Sequence, residues 1–304
     1  MRSIFKTSVI YFSLIILMSM SGCNKFKGDQ EVPAYIKIDS IAISQSSATA
    51  MGITPTAQIP DVWISVDGWK IGGYQLPACI PILKKGKWEI LLEAGIYVDN
   101  MYGRRGIYPF YSGKKLTLHF AEDSITSVGF VEVAIRESNN YVFSEDFERG
   151  RHGFDTATGF HSAPLEIKAT PESMSDRLYG EHIGLIHLTQ SDSICCILSK
   201  ESFVKETALP FNKPIFVEID YQTNNKFDVG IVYYANQKPY FYPILTVGVQ
   251  RKPEWSKVYV EINNTVTRQL YQDKDTEFKL LIRADLDKDN TEANIYLDNI
   301  RVVF

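Results

Sequence analysis

Between Tyr35 and Phe304 the apolar residues recur mostly at every second position in short runs, and almost no stretch keeps the 3.6-residue spacing of a helix. Successive side chains on a strand point to opposite faces, so this alternation builds sheets with one face in a core and the other free for a partner or water. The residue types agree: Tyr and Phe number 17 each, Ile and Val are abundant, and long Ala/Leu/Glu/Lys stretches are few. The expectation is an all-β chain with few helices, and 304 residues suffice for two modest domains with cores of their own.

The first domain is expected over residues 34–137. Tyr35, Ile36, Ile38, Ile41 and Ile43 open it as a strand, and the small residues 44–51 read as a break. Val62, Ile64 and Val66 then alternate into Asp67-Gly68, and residues 69–76 return as a second strand, the strongest short-range hairpin signal available. Gly72, Gly73 and Pro77 follow, then a strand from Gly86 to Gly95. This order of Asp-Gly turn, Gly, Pro and Gly-bounded strand resembles the small extracytoplasmic domain called PEGA over residues 57–100, which implies a small Ig/PEGA-like β-sandwich without catalytic function. Residues 101–111 join Arg104 and Arg105 to Tyr102, Tyr108, Phe110 and Tyr111. Such a combination serves as an interface or sugar platform, or as a loop that covers the sandwich edge. Leu116 to Phe120 and Val128 to Ile135 alternate well and complete the domain.

Glu137-Ser138-Asn139-Asn140 is a polar break, and the second domain is expected over 141–304. Strands are read at 184–188, 193–198, 215–221, 227–234, 244–249, 257–262 and 278–282. Its opening, Tyr-Val-Phe-Ser-Glu-Asp-Phe-Glu at 141–148, and its ending, Leu-Asp-Asn-Ile-Arg-Val at 297–302, resemble the first and last strands of a galactose-binding-like jelly roll, the sandwich of many carbohydrate-binding modules. That resemblance implies a β jelly-roll sandwich and a structural Ca²⁺ held by the oxygens of Glu148 and Asp298. Within the same span Tyr233, Tyr234, Tyr240, Phe241, Tyr242 and Trp255 concentrate aromatic rings. Tyr240, Tyr242 and Trp255 are candidates for stacking on a sugar face, with core or edge cover as the competing role.

The N-terminus carries Arg2 and Lys6, an apolar run from Ile10 to Met18 too short to span a bilayer, and Met20-Ser21-Gly22-Cys23. It resembles a bacterial lipoprotein signal, which implies removal of residues 1–22 and lipidation of Cys23. Several acyl chains at about 0.8 kcal/mol per buried methylene hold a protein on a membrane stably. Residues 23–33 are polar and read as a tether. Lys25, Lys27, Asp29 and Glu31 loosely resemble the surface-export signal of Bacteroidetes-type lipoproteins, which implies an outer-membrane protein facing the cell surface. Asp39-Ser40-Ile41, Asp123-Ser124-Ile125 and Asp155-Thr156-Ala157 resemble the Asp-Ser/Thr-apolar acceptor of O-glycosylation in the same bacteria, nominating Ser40, Ser124 and Thr156.

Several functions lose support from the residues themselves. The net charge of −4 grows more negative once Arg2 and Lys6 leave with the leader, so nucleic acid is an unfavourable partner. There is no Gly-x-Ser-x-Gly elbow, no His-Glu-x-x-His and no phosphate loop, and the five His lack ligand spacing. Asp285, Asp287 and Asp289 imitate the start of an EF-hand loop, yet Asn290 stands where Gly is needed and Tyr296 where Glu is needed, so an acidic turn is expected. Cys195 and Cys196 should point to opposite faces of one strand as unpaired apolar residues.

The resulting expectation is a lipid-anchored, non-catalytic protein with no cofactor beyond structural Ca²⁺. Its leading role is an accessory or scaffold subunit for another envelope protein, with glycan capture by the jelly roll second and an envelope hydrolase third. Cys23→Ser should leave the leader uncleaved or release the protein from membranes. Intact mass of the exported protein reads both lipid and any glycan; a variant that stays lipidated and membrane-bound would refute the anchor.

Overall fold

A computed structural model describes residues 31–157, 161–172, 180–203, 213–234, 242–272 and 276–304, with the backbone alone at 242–246 and 271–272. The chain is all-β. The first sandwich contains β1 (Ala34–Ile43), β2 (Asp61–Val66), β3 (Trp69–Gln75), β4 (Ala78–Ile82), β5 (Gly86–Tyr97), β6 (Arg105–Ile107), β7 (Lys114–Phe120) and β8 (Ile125–Val133), with one short helix, α1 (Gln45–Ala50). One sheet has the order β4-β1-β8, with β1 and β8 parallel; the other has the order β3-β2-β5-β6, with β7 on β5. The Asp67-Gly68 hairpin forms as the sequence predicts. Both residues have positive φ, 51° and 78°, the signature of a type I′ turn. The break at 44–51 is instead α1: Ser47 Oγ donates to the Ser44 carbonyl and accepts from Ile135 N, while Ala48 is fully buried. Small residues without apolar periodicity conceal a helix this short.

The second sandwich contains β9 (Tyr141–Glu145), β10 (Phe154–Thr156), β11 (Leu165–Ala169), β12 (His182–Thr189), β13 (Ile194–Ser199), β14 (Phe216–Thr223), β15 (Phe227–Tyr234), β16 (Tyr242–Val249), β17 (Lys252–Glu261), β18 (Glu277–Asp285) and β19 (Glu292–Val303), with helix α2 (Asn263–Gln272). Its five-stranded sheet has the order β10-β13-β18-β15-β16, and its six-stranded sheet the order β11-β12-β19-β14-β17, with β9 on β19. All pairings within these two sheets are antiparallel. The predicted alternation places Ile197, Val217, Ile219, Val229, Ile231, Leu280, Ile282, Ile295 and Leu297 in the core between the sheets. Cys195 faces that core and Cys196 the opposite side, with both thiols free, as expected. Helix α2 escapes sequence reading because only Val266 and Leu270, one turn apart, anchor it to the core.

The outward face of the six-stranded sheet positions everything that follows. Phe216 with its register partner Val303, and Tyr259 opposite Glu218, belong to the core of the first sandwich. Tyr108 fills the junction, its ring centroid 4.8 Å from that of Tyr259 and 5.4 Å from that of Phe216, and its hydroxyl donates to Glu218 Oε1. Tyr108, Phe110 and Tyr111 are thus buried between the domains and form no exposed platform. The next rows are charged: Lys257 Nζ lies 3.0 Å from Asp220 and 3.4 Å from Glu218, and Arg301 lies 3.6 Å from Glu218. The first sandwich closes over them, with Thr56 Oγ1 accepting from Lys257 Nζ, the Thr54 carbonyl from Arg301, and Gln58 Oε1 from Ser256 Oγ and Lys257 N. Asp99 clamps the sheet edge, its backbone N donating to the Tyr259 carbonyl and its carboxylate accepting from Glu261 N and Arg104.

Removing one partner from a buried ion pair costs about 3–5 kcal/mol, because the remaining charge stays desolvated and unpaired. Lys257→Met should therefore lower the urea-unfolding free energy by about that amount, and adding Asp220→Asn should restore part of it. A loss below about 1 kcal/mol for the single variant would mean that the ladder is not what holds this interface.

Candidate functional site

Above the covered rows the same sheet face is open. Gln222 of β14 pairs in register with Tyr296 of β19, and Asn294 lies two residues before Tyr296 on the same face. With Thr223, Asn224, Arg251, Pro253 and Asn290 they line a groove of about 540 Å³, within the range of small-molecule sites. No residue of the first sandwich lines it. Trp255 sits in the irregular stretch of β17 opposite Gln222, where pairing jumps from Tyr221↔Ser256 to Thr223↔Lys252. It shares the outward face with Lys257 and Tyr259 by strand alternation. Adjacent strands lie about 4.8 Å apart, so Trp255, Gln222 and Tyr296 form one row across three strands.

The amides of this groove are held in place and keep spare valences. Asn224 Oδ1 accepts from Asn294 N at 2.8 Å, Asn290 Nδ2 donates to the Asn224 carbonyl at 3.0 Å, and Asn294 Oδ1 lies 2.8 Å from His187 Nδ1. Gln222 Nε2 donates to the Pro253 carbonyl, while Gln222 Oε1 and Trp255 Nε1 have no partner in the protein. A buried acceptor or donor left unmade costs about 1–3 kcal/mol. The groove thus offers the Tyr296 ring and a set of held amides, with the unpaired Gln222 Oε1 and Trp255 Nε1 buried beside it.

Its rim carries the acidic triplet. Arg251 bonds Asp287 at 2.8 Å through Nε and Asp289 at 2.8 Å through Nη1, while Asp285 pairs with Arg283 at 3.0 Å. The hydrogen bond from Arg251 holds the Asp289 carboxyl down at about 2. The triplet is an ion-paired turn, as its departures from the EF-hand pattern predict.

The remaining nominated residues are dispersed. Cys23 and Tyr240 lie outside the described residues, and Tyr242 opens β16 with its side chain outside the description. Ser40 and Thr156 are exposed on β1 and β10, and Ser124 Oγ donates to the Ala121 carbonyl at 2.6 Å. Glu148 Oε1 accepts from His182 N at 2.9 Å, and its other oxygen lies 3.2 Å from His182 Nδ1. Asp298 accepts from Asn299 N and Asn299 Nδ2. Each carboxylate thus has its own partners, with Lys257 and Arg301 among the charges acting on Asp298, so the pair does not fit a shared calcium. No cluster of three His, Cys, Asp or Glu arranged for a metal occurs among the described residues. Sequence reading placed Trp255 among its candidates but missed Gln222, Asn224, Asn294 and Tyr296. Polar residues at outward strand positions are ordinary, and only the register gathers these into a groove.

No protein-family model and no curated protein matches the chain. Solved structures with similar folds include one from work on the promiscuous specificity of carbohydrate-binding modules of the β-sandwich superfamily, 14% identical over 90% of this chain and 99% of that one, TM-score 0.38. A carbohydrate-binding module specific for non-crystalline cellulose, CBM28, is 14% identical over 54% of this chain and 94% of that one, TM-score 0.35. The CBM22-1–GH10 modules of a Clostridium thermocellum endo-1,4-β-D-xylanase 10B, complexed with xylohexaose, are 13% identical over 54% of this chain, TM-score 0.36, and this chain spans only 28% of that protein. Superpositions this loose carry no ligand to this chain.

One group beneath the groove titrates in an accessible range. Burial, and then the charge of Asp220, push the Asp298 carboxyl from 3.8 up to about 8. The folded protein therefore keeps a proton that the unfolded chain releases above about pH 4, so stability falls as pH rises from about 4 to about 8. Asp298→Asn should flatten that part of a urea-midpoint profile and be the more stable protein at pH 8. Parallel profiles for the two proteins would contradict a neutral Asp298.

Proposed function

We propose that this chain is a non-catalytic, lipid-anchored protein of the outer membrane, held through Cys23, that captures a neutral glycan in the groove of its jelly roll. The observation that carries this reading is the groove lined by Tyr296, Gln222, Asn224, Asn290 and Asn294, with Trp255 on the neighbouring strand at its edge. Pyranose rings present C–H faces that stack on aromatic rings, and hydroxyls that both donate to and accept from amides. An amide lining with the guanidinium already ion-paired suits a polyol better than an ion. The groove holds no nucleophile with an oriented base, and the carboxylates of its rim are neutralised by Arg251, which supports binding over hydrolysis.

The accessory-subunit reading draws on a different surface. Trp69 and Ile71 of β3 are 78% and 42% exposed, apolar area of the kind that protein interfaces use. The two readings differ in what binds: polysaccharide in one, an envelope protein in the other.

The glycan reading is tested by affinity electrophoresis of the mature protein through gels containing neutral polysaccharides. Loss of one stacked ring should weaken retention on the order of tenfold, and Trp255→Ala combined with Tyr296→Ala should abolish it. Retention that is absent throughout the neutral panel, or that the double variant preserves, would sink this function.

A further inference from the structure

A second site lies near the opposite end of β19, where β9 runs alongside its last residues. The loop from β9 to β10, residues 146–153, is pinned at four points. Glu145 is buried; its Oε1 accepts from Phe147 N at 2.7 Å, and its Oε2 accepts from Gly153 N. Phe147 adopts φ 60°, rare for a bulky residue, and is completely buried against Gly184, where any Cβ would come within 2.5 Å of the ring. Glu148 ties the loop to the backbone of His182, and Lys200 Nζ donates to the His152 carbonyl at 3.0 Å. Gly150, at φ 69°, turns the apex.

This fastening presents Arg149 and Arg151 outward. Both are exposed, and neither has a carboxylate partner among the described residues, whereas Arg104, Arg105, Arg251, Arg283 and Arg301 each have one. Together with Lys200 they line a cleft of about 550 Å³ whose other wall is β9, including the half-buried rings of Tyr141 and Phe143. Glu145 also lines the cleft, but both its oxygens are already occupied by backbone N–H groups. Glu201 is the other carboxylate lining it. Two arginines on a braced loop, with Lys200 beside them donating to the His152 carbonyl and 3.8 Å from Asp155, form a preorganised oxyanion site in a chain of net charge −4.

We propose that this cleft binds an oxyanion carried by an acidic glycan, a uronate carboxylate or a sulfate ester, through Arg149, Arg151 and Lys200. A membrane surface fits less well. Interfacial binding needs exposed apolar side chains beside the cations, and among the described residues the large exposed apolar ones run from Val32 to Phe130 in the first sandwich and tether. Arginine forks suit planar and tetrahedral oxyanions, and the neighbouring rings suit a sugar. The inference shares with the proposed function only the premise of a glycan ligand, because the two sites have no residue in common.

The test is calorimetry on the mature protein with heparin as the sulfated probe, polygalacturonate as the carboxylate probe, and polyglutamate and phosphatidylglycerol vesicles as competitors for the assignment. At least one acidic polysaccharide should bind, weaken as salt rises, and lose about tenfold or more with Arg149→Ala/Arg151→Ala. Arg149→Lys/Arg151→Lys should retain part of the binding, and Trp255→Ala/Tyr296→Ala should retain all of it. No binding of either polysaccharide, binding that survives the double Ala variant, or loss in the Trp255/Tyr296 variant would overturn the proposal. So would equal or tighter binding of polyglutamate or of the vesicles. Failure of neutral-polysaccharide retention alone would leave this cleft standing.

Discussion

A lysine at 2% side-chain exposure between Glu218 and Asp220 is a demanding thing to build into a sheet, and the rest of the molecule is arranged around meeting that demand. Desolvating an ion costs several kcal/mol, and attraction to a neighbour offsets this only where geometry is good and leftover valences are filled. Here the first sandwich fills them, through Thr56 on Lys257, Tyr108 on Glu218 and the Thr54 carbonyl on Arg301. Without that cover the jelly roll would expose Phe216, Tyr259 and Val303 beside the charges of Glu218, Asp220, Lys257 and Arg301. The two sandwiches are therefore one cooperative unit at this junction, with aromatic packing and ion pairing reinforcing each other.

That dependence shapes where ligands can bind. The six-stranded sheet gives its lower rows to the first sandwich, so its outward face remains open only above Asp220 and Asp298. The groove inherits a rigid floor, because its strands are clamped from below and packed against the second sheet behind. The cationic cleft lies beside the last residues of β19, about 20 Å of strand away at roughly 3.3 Å per residue. One sheet thus carries two sites of different chemistry, amides and rings at one, guanidinium groups at the other. The outer rows of strands carry polar groups wherever no second layer covers them, and it is these groups that become available for recognition.

Much of the fold was legible. The hairpin at Asp67-Gly68 follows from two residues that tolerate positive φ, and the opposite orientation of Cys195 and Cys196 from the period of a strand. Helices α1 and α2 were not legible, since α1 is a six-residue run of small residues and the apolar stripe of α2 reduces to Val266 and Leu270. Tyr108, Phe110 and Tyr111 show the limit of residue-type reasoning. Aromatics beside arginine are equally suited to an exposed platform and to a buried junction, and only the placement of Phe216 and Tyr259 against them decides the matter. Glu148 and Asp298 were nominated by position near the first and last strands, yet the turn after Glu145 sends Glu148 to His182, while Asp298 faces the charge ladder.

By itself the sequence determined the class of structure: alternation of apolar residues, turn chemistry and strand-forming composition leave little besides sheets that bury one face. It also supplied the resemblance of residues 1–23 to a lipoprotein signal, because targeting segments are read locally, by length and residue type. The tertiary structure decided which outward faces are covered and which are open. Gln222, Asn294 and Tyr296 come from distant stretches and meet Trp255 only through strand register, and Arg149 and Arg151 become a site only because Glu145, Phe147 and Gly184 fasten their loop. Register and packing depend on the whole set of long-range contacts, which no local pattern of residues records.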